Sequence, residues 1–454
     1  MRGRLVLLVG SALAACSAPN PSRPEAASVT APIAWRTALP AASAAVDRDW
    51  WAQFGDPVLS GLVETALARN PDIAIAAGRV QEARANERLA RAQLFPSLSA
   101  GGGVTHGRSV SAFGTAVETT SAQPLFQASY EVDAFGRISS QVAAAREAAL
   151  ASEAARDAVA LSIAATAASG YITLRALDAR RLVVEATIAS RAEALRIARS
   201  RAEAGYTSQL ELRQAEAEYE ATAQLLPQAE LAIRRQENAL SVLQGDAPRD
   251  IQRGASLADL RPLPVPAGLP SDLLRRRPDI AQAERALVAS DRSLDAARAQ
   301  FLPSIQLTGS GGLALSSTLA NPLTIWSVGA SVLAPLFAGG RLTANVEGAA
   351  ARRDQAAFTY QRTALTAFRE VEDALAAVDR LAAQRVRLEA QRTALAEALR
   401  HATNRYRAGY ASYLEQLDAQ RSLLNVELTL VQLRADQLNA LVALYQAMGG
   451  GWRA

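Results

Sequence analysis

The chain has 454 residues, half of them hydrophobic, so it can bury a substantial core and is long enough for more than one domain. Its 48 basic and 44 acidic residues are interspersed and leave a formal charge of +4, which argues against a nucleic-acid surface. One cysteine and two histidines, His106 and His401, exclude a disulfide framework and give a metal centre or a catalytic triad almost nothing to be built from.

In chain order, Arg2 and Arg4 precede the short apolar run LVLLVGSALAA, and Cys16 follows it directly. The run is too short to span a bilayer, so residues 1–15 read as a signal peptide. LAAC resembles the bacterial lipobox, in which the thiol receives a diacylglycerol and becomes the first mature residue. Ser17 after it, in place of Asp, resembles lipoproteins sorted to the outer membrane. Residues 16–46, rich in Pro, Ala and Ser, are expected to be a lipidated flexible tether. No later stretch approaches about 18 consecutive apolar residues, so any membrane crossing has to be made by a β-barrel.

The rest of the chain is written twice. RNPDIAIAAGRVQEARANERLARAQLFPSLS (69–99) aligns with RRPDIAQAERALVASDRSLDAARAQFLPSIQ (276–306), and FGRI (135–138) with GGRL (339–342). The expected organisation is a first repeat over 47–250, a connector over 251–270 and a second repeat over 271–454. In each copy a helix, about 58–93 in the first, leads into two strands. These are placed at about 96–108 and 123–134 in the first copy and at about 303–316 and 325–336 in the second. FQASYEVD and WSVGASVLA alternate apolar with small or polar residues, a pattern shared by membrane barrel strands and half-buried soluble sheets. From Arg137 to Glu203 and from Arg341 to Ala408 there is no proline, which predicts two helices of about 65 residues, each on the order of 100 Å long. Leucines at seven-residue spacing (Leu381, Leu388, Leu395; Leu417, Leu424, Leu438) predict supercoiled pairing. Pro227 is expected to kink its helix.

Each long helix ends in a small break, EAGYTS (203–208) and RAGYAS (407–412). Gly there suits a left-handed helix C-cap, and Ser208 and Ser412 suit N-caps for the next helix. The doubled helix–strand–strand–long helix order, WWAQFGDPVLSGLVETALARNPDI near the start, the paired FPS and LPS strand entries and the paired glycine tips resemble the TolC-like outer membrane factor family, more narrowly a lipoprotein member serving a tripartite efflux pump. The resemblance covers essentially everything after the tether.

That resemblance implies a mainly α fold with a β-barrel part: a trimer sharing a 12-stranded membrane β-barrel continued by a long α-helical barrel. It implies a passive exit duct without cofactor or enzymatic activity, lipid-anchored in the outer membrane. Its implied partners are a periplasmic adaptor and an inner-membrane RND-type transporter. The adaptor-docking tips match Gly205, Tyr206, Thr207, Ser208, Gly409, Tyr410, Ala411 and Ser412. The gate matches Tyr406, Glu415 and Asp418; the three-residue spacing puts the two acids on one helix face. The same residue types also suit plain helical hairpin turns and a solvated helix surface. A type I protein-secretion duct shares the architecture, and a periplasmic coiled-coil lipoprotein with a soluble sheet is the reading from a different class. The exported substrate is not legible.

Overall fold

The structure, a computed structural model, describes residues 19–37, 47–266 and 268–452; the signal peptide and Cys16 lie outside the described residues. The chain divides into two compact units. One takes Gly78–Glu153 and Gln282–Arg362 with the described residues before Thr30. The other takes the described parts of Thr30–Ala77, Ala154–Ala281 and Thr363–Ala454.

The element order repeats. The first copy runs α1 (Pro57–Arg69), α2 (Pro71–Ala92), β1 (Ser97–Gly101), β2 (Val104–Val110), β3 (Ala116–Ala122), β4 (Leu125–Val132), α3 (Arg137–Glu203), α4 (Gln209–Ala223) and α5 (Leu225–Leu243). The second runs α6 (Pro270–Arg276), α7 (Pro278–Ala299), β5 (Ser304–Ser316), β6 (Leu323–Leu333), α8 (Arg341–Arg407) and α9 (Tyr413–Ala447). Both long helices, α3 and α8, have 67 residues.

Prolines set the interruptions. The helix expected over 58–93 is two helices, because Pro71 donates no amide and holds Asn70 extended. Arg277 is extended before Pro278 in the same way. Pro227 loosens its helix as expected: it leaves the carbonyl of Ala223 without an amide donor, and α4 gives way to α5 across Gln224, which keeps right-handed helical angles. The second copy has no proline there, and α9 runs unbroken for 35 residues.

The strands of the first unit form one antiparallel sheet. β1 and β2 pair with β4 and β3, β4 pairs with β5, and β5 pairs with β6. The register does not slip across Gly102–Gly103 and the opposed Gln123–Pro124, so β1–β2 and β3–β4 are two long strands interrupted where proline leaves the ladder. The second strand starts at Ala116, seven residues before its expected start.

Pairing sorts the side chains. Leu98, Phe126, Ala128, Leu307, Trp326 and Val328 share one face. Ser97, Gln127, Ser129, Thr308, Ser310 and Ser327 share the other, with hydroxyl pairs Ser97–Ser129 at 2.9 Å and Ser310–Ser327 at 2.8 Å. A half-buried soluble sheet would tuck its apolar face against a core. Here Trp326 and Val328 are 77% and 81% exposed, so no core covers the apolar face, and the polar face is open as well.

The second unit is helical and is built on the WWAQF turn. Trp50 and Phe54 are fully buried among Leu59, Tyr171, Leu438 and Tyr445. Asp56, also buried, caps α1 by accepting from the amides of Val58 and Leu59. Its other oxygen accepts from the Tyr171 hydroxyl at 2.8 Å and the Ala255 amide at 2.9 Å, tying α1, α3 and the connector together. Gly254 is required at that point, because a Cβ there would lie 2.2 Å from the Asp56 carboxylate. Burial, then the Asp56 charge, push the Tyr171 phenol up to about 12. Among the described residues one helix, α3, holds a stretch long and apolar enough to cross a membrane. Its Ile163, Ala167, Ala168, Tyr171 and Ile172 are buried in this protein core instead.

The expectation of a flexible tether does not hold for residues 19–37. Arg353 donates to the carbonyls of Pro21 and Ser22, and Gln361 to those of Ala26 and Ser28. Trp35 packs on Phe368, and its indole donates to Gly268. Composition alone cannot show a partner surface, and α8 supplies one.

Replacing Asp56 by Ala orphans a buried amide and a buried phenol and removes the cap, a loss of about 3 kcal/mol. Asp56→Ala is expected to lower the thermal unfolding midpoint followed by circular dichroism, with Asp56→Asn falling less far.

Candidate functional site at the helix breaks

Both breaks end their long helix in the same way. Gly205 has φ 76° and Gly409 φ 81°, left-handed values that glycine adopts without strain. The amides of Gly205 and Tyr206 donate to the carbonyls of Ala202 and Arg201, and those of Gly409 and Tyr410 to Tyr406 and Arg405. These are Schellman closures, as the sequence predicts. Ser208 caps α4 by accepting from the Glu211 amide. Ser412 has N-cap backbone angles but no side-chain cap; only its carbonyl accepts, from Glu415. Each tip carries an exposed tyrosine and leucine, Tyr206 with Leu210 and Tyr410 with Leu414.

The surroundings of the two breaks differ. Tyr406 is buried with Ala198, Ala215, Tyr413 and Leu417, 5.7 Å from the Tyr413 ring. The Arg201 guanidinium lies over its ring at 4.9 Å and donates to the carbonyls of Tyr406 and Arg407, closing the C-terminus of α8. Burial, then Glu211, push the Tyr406 phenol up to about 12. Glu415 and Asp418 are exposed on α9, and Glu415 pairs with Arg405 at 3.2 Å. The structure therefore separates the three expected gate residues: the tyrosine packs between helices while the acids stand on an exposed surface.

Sequence reading missed the most buried charge in this region. Arg191, 1% exposed, lies 3.0 Å from Glu218 and donates to Gln420 at 2.7 Å. Glu218 also accepts from Arg421 at 2.8 Å. Burial lowers the Arg191 pKa against the attraction of Glu218, and burial raises that of Tyr413. The available signal was positional, because Glu218 interrupts the stripe Leu212, Ala215, Thr222 that α4 buries.

An outer membrane efflux protein model matches residues 62–246 and 269–450. The toluene efflux pump outer membrane protein TtgC of Pseudomonas putida is 35% identical over 95% of this chain and 91% of its own length. The cation efflux system protein CusC of Escherichia coli is 34% identical over 89% and 88%. Among solved structures, a membrane protein from Pseudomonas aeruginosa superposes with TM-score 0.86 at 32% identity, over 95% of this chain and all of that one. The CmeC outer membrane channel of Campylobacter jejuni superposes with TM-score 0.87 at 25% identity, over 96% and 95%.

Removing Glu218 strands a buried guanidinium, a loss of about 3–5 kcal/mol. Glu218→Ala is expected to lower the thermal midpoint clearly, and the double variant Arg191→Met/Glu218→Leu to recover most of it. A neutral Glu218→Ala would show that the pair does not anchor this region.

Proposed function

The chain belongs to the outer membrane efflux protein family, and on that premise we propose that three copies assemble into a passive, gated exit duct for small molecules. The protein is an outer-membrane component of an efflux system and extends into the periplasm. The observation that carries the trimer is the sheet. It has four long strands, an uncovered apolar face and two unpaired edges, β1–β2 and β6. Lipid offers no partner to an open edge, so neighbouring chains have to supply it, and three chains give twelve strands. The serine-rich face then lines water and the apolar face meets acyl chains.

The breaks form the periplasmic tips. Tyr206 with Leu210 and Tyr410 with Leu414 offer exposed apolar side chains on rigid glycine-capped turns, which suits docking of a periplasmic adaptor. An inner-membrane RND-type transporter supplies the energy, since the duct carries out no chemistry of its own. Glu415 and Asp418 converge near the three-fold axis, where like charges narrow the ion path and favour cations. Arg201 over Tyr406 locks the closed form from outside the lumen. The names of the relatives favour small toxic compounds over secreted proteins as cargo.

The lipid anchor fits the strapped N-terminal segment. Pro21 is held by Arg353, roughly 18 Å along α8 from Arg341 beside the sheet. Five residues separate Cys16 from Pro21, and such a stretch can reach about 17 Å, a length comparable with that distance.

In planar bilayers the wild-type protein is expected to form pores, and the Glu415→Ala/Asp418→Ala variant to conduct at least about twofold more with weaker block by divalent cations. Unchanged conductance and block would remove these acids from the gate. Cells given radioactive palmitate are expected to label the wild-type chain and leave Cys16→Ser unlabelled; an unlabelled wild-type chain rules out the anchor.

A further inference from the structure

The two copies diverge where strand gives way to long helix. In the first, Arg137 is neutralised by Glu131, with contacts of 2.7 and 3.1 Å, and Asp133 accepts from the amides of Ile138 and Ser139 at 2.8 and 2.7 Å. Carried over by the FGRI–GGRL alignment, Arg137 becomes Arg341, while Glu131 and Asp133 become Pro335 and Phe337. The cation is kept and both acids are gone. Arg341 is exposed and has no ion pair among the described residues. Beside it Leu336 and Phe337 are 83% and 92% exposed. A cavity of about 410 Å³ opens there, lined by Arg341, Leu333, Pro335 and Pro303 and also by Glu131 and Asp133. Glu131 is paired with Arg137 and Asp133 is held by two backbone amides, so Arg341 is the one basic side chain lining the cavity that no acid pairs with among the described residues.

We propose that this second junction binds the phosphate of an anionic phospholipid from the periplasmic leaflet, with Arg341 on the headgroup and the acyl chains over Leu336 and Phe337. The proposal rests on the membrane reading of the sheet. The patch continues the uncovered apolar face carrying Trp326, Val328 and Val332, so an occupant of the patch already has its chains in that layer. The strand entry that would close the β6 edge, residues 92–99, contains no acid, so that segment of a neighbouring chain brings Arg341 no counter-charge. A cation beside exposed apolar side chains at the bilayer rim fits an anionic amphiphile better than a soluble anion.

The test is native mass spectrometry of the full-length protein released from nanodiscs of phosphatidylglycerol and phosphatidylcholine. Wild type is expected to retain phosphatidylglycerol roughly fivefold over phosphatidylcholine, the preference one arginine at a membrane surface supplies. Arg341→Gln and Phe337→Asp are expected to lose that preference, and Arg137→Gln to keep it. A wild type without preference, or variants that all keep it, overturns the proposal. So does loss of the bound lipid to millimolar inorganic phosphate, which would make the site one for the free anion. Planar-bilayer conductance of the same samples separates the readings: a conducting wild type without lipid preference loses only this site, whereas a non-conducting one loses the duct.

Discussion

An antiparallel sheet that shows its apolar face and leaves both edges unpaired is not a finished object. Every backbone amide along β6 that points away from β5 needs an acceptor, and in hydrocarbon none comes from solvent. That requirement, more than any single side chain, makes the protein an assembly. The ladder register puts serine and threonine on one face and Leu98, Phe126, Trp326 and Val328 on the other. The chain thus carries one wall of a water-filled pore together with that wall's lipid coat.

The helical unit is tied together by contacts within the chain. Its aromatic turn Trp50–Phe54 sits beneath α1, and the buried carboxylate of Asp56 joins three segments far apart in sequence. The connector is pinned along its length: Arg175 donates to Ala255, Arg434 to Leu260 and the Tyr445 hydroxyl to Pro264. A segment rich in proline and glycine is thereby ordered through its carbonyls, which need no regular secondary structure to find donors.

Duplication supplies the scaffold, and the departures from it mark where the copies work differently. Both breaks close with the same glycine geometry. Only the second buries a tyrosine beneath an arginine, and it is the arginine of the first copy that reaches across to hold it. The strand–helix junctions differ in the same sense, paired charges in one copy and a lone cation among apolar side chains in the other.

Most of the architecture was legible because it rests on local chemistry. Alternation of period two, the absence of proline over 67 residues, glycine where a helix must reverse and the offset between copies are each carried by residue type and spacing. Proline effects were legible too, although Pro71 divides the helix expected over 58–93. What only the tertiary structure decided depends on partners distant along the chain. Alternation could not say whether the sheet's apolar face was covered; the packing leaves it bare. Composition made residues 19–37 a free tether, and Arg353, Gln361 and Phe368 hold them to α8. Nothing in the sequence reading singled out Glu218, which α3 meets with Arg191. Residue type and spacing determine where helices and strands begin and end, but which face meets protein, lipid or water is set by surfaces the chain assembles only on folding.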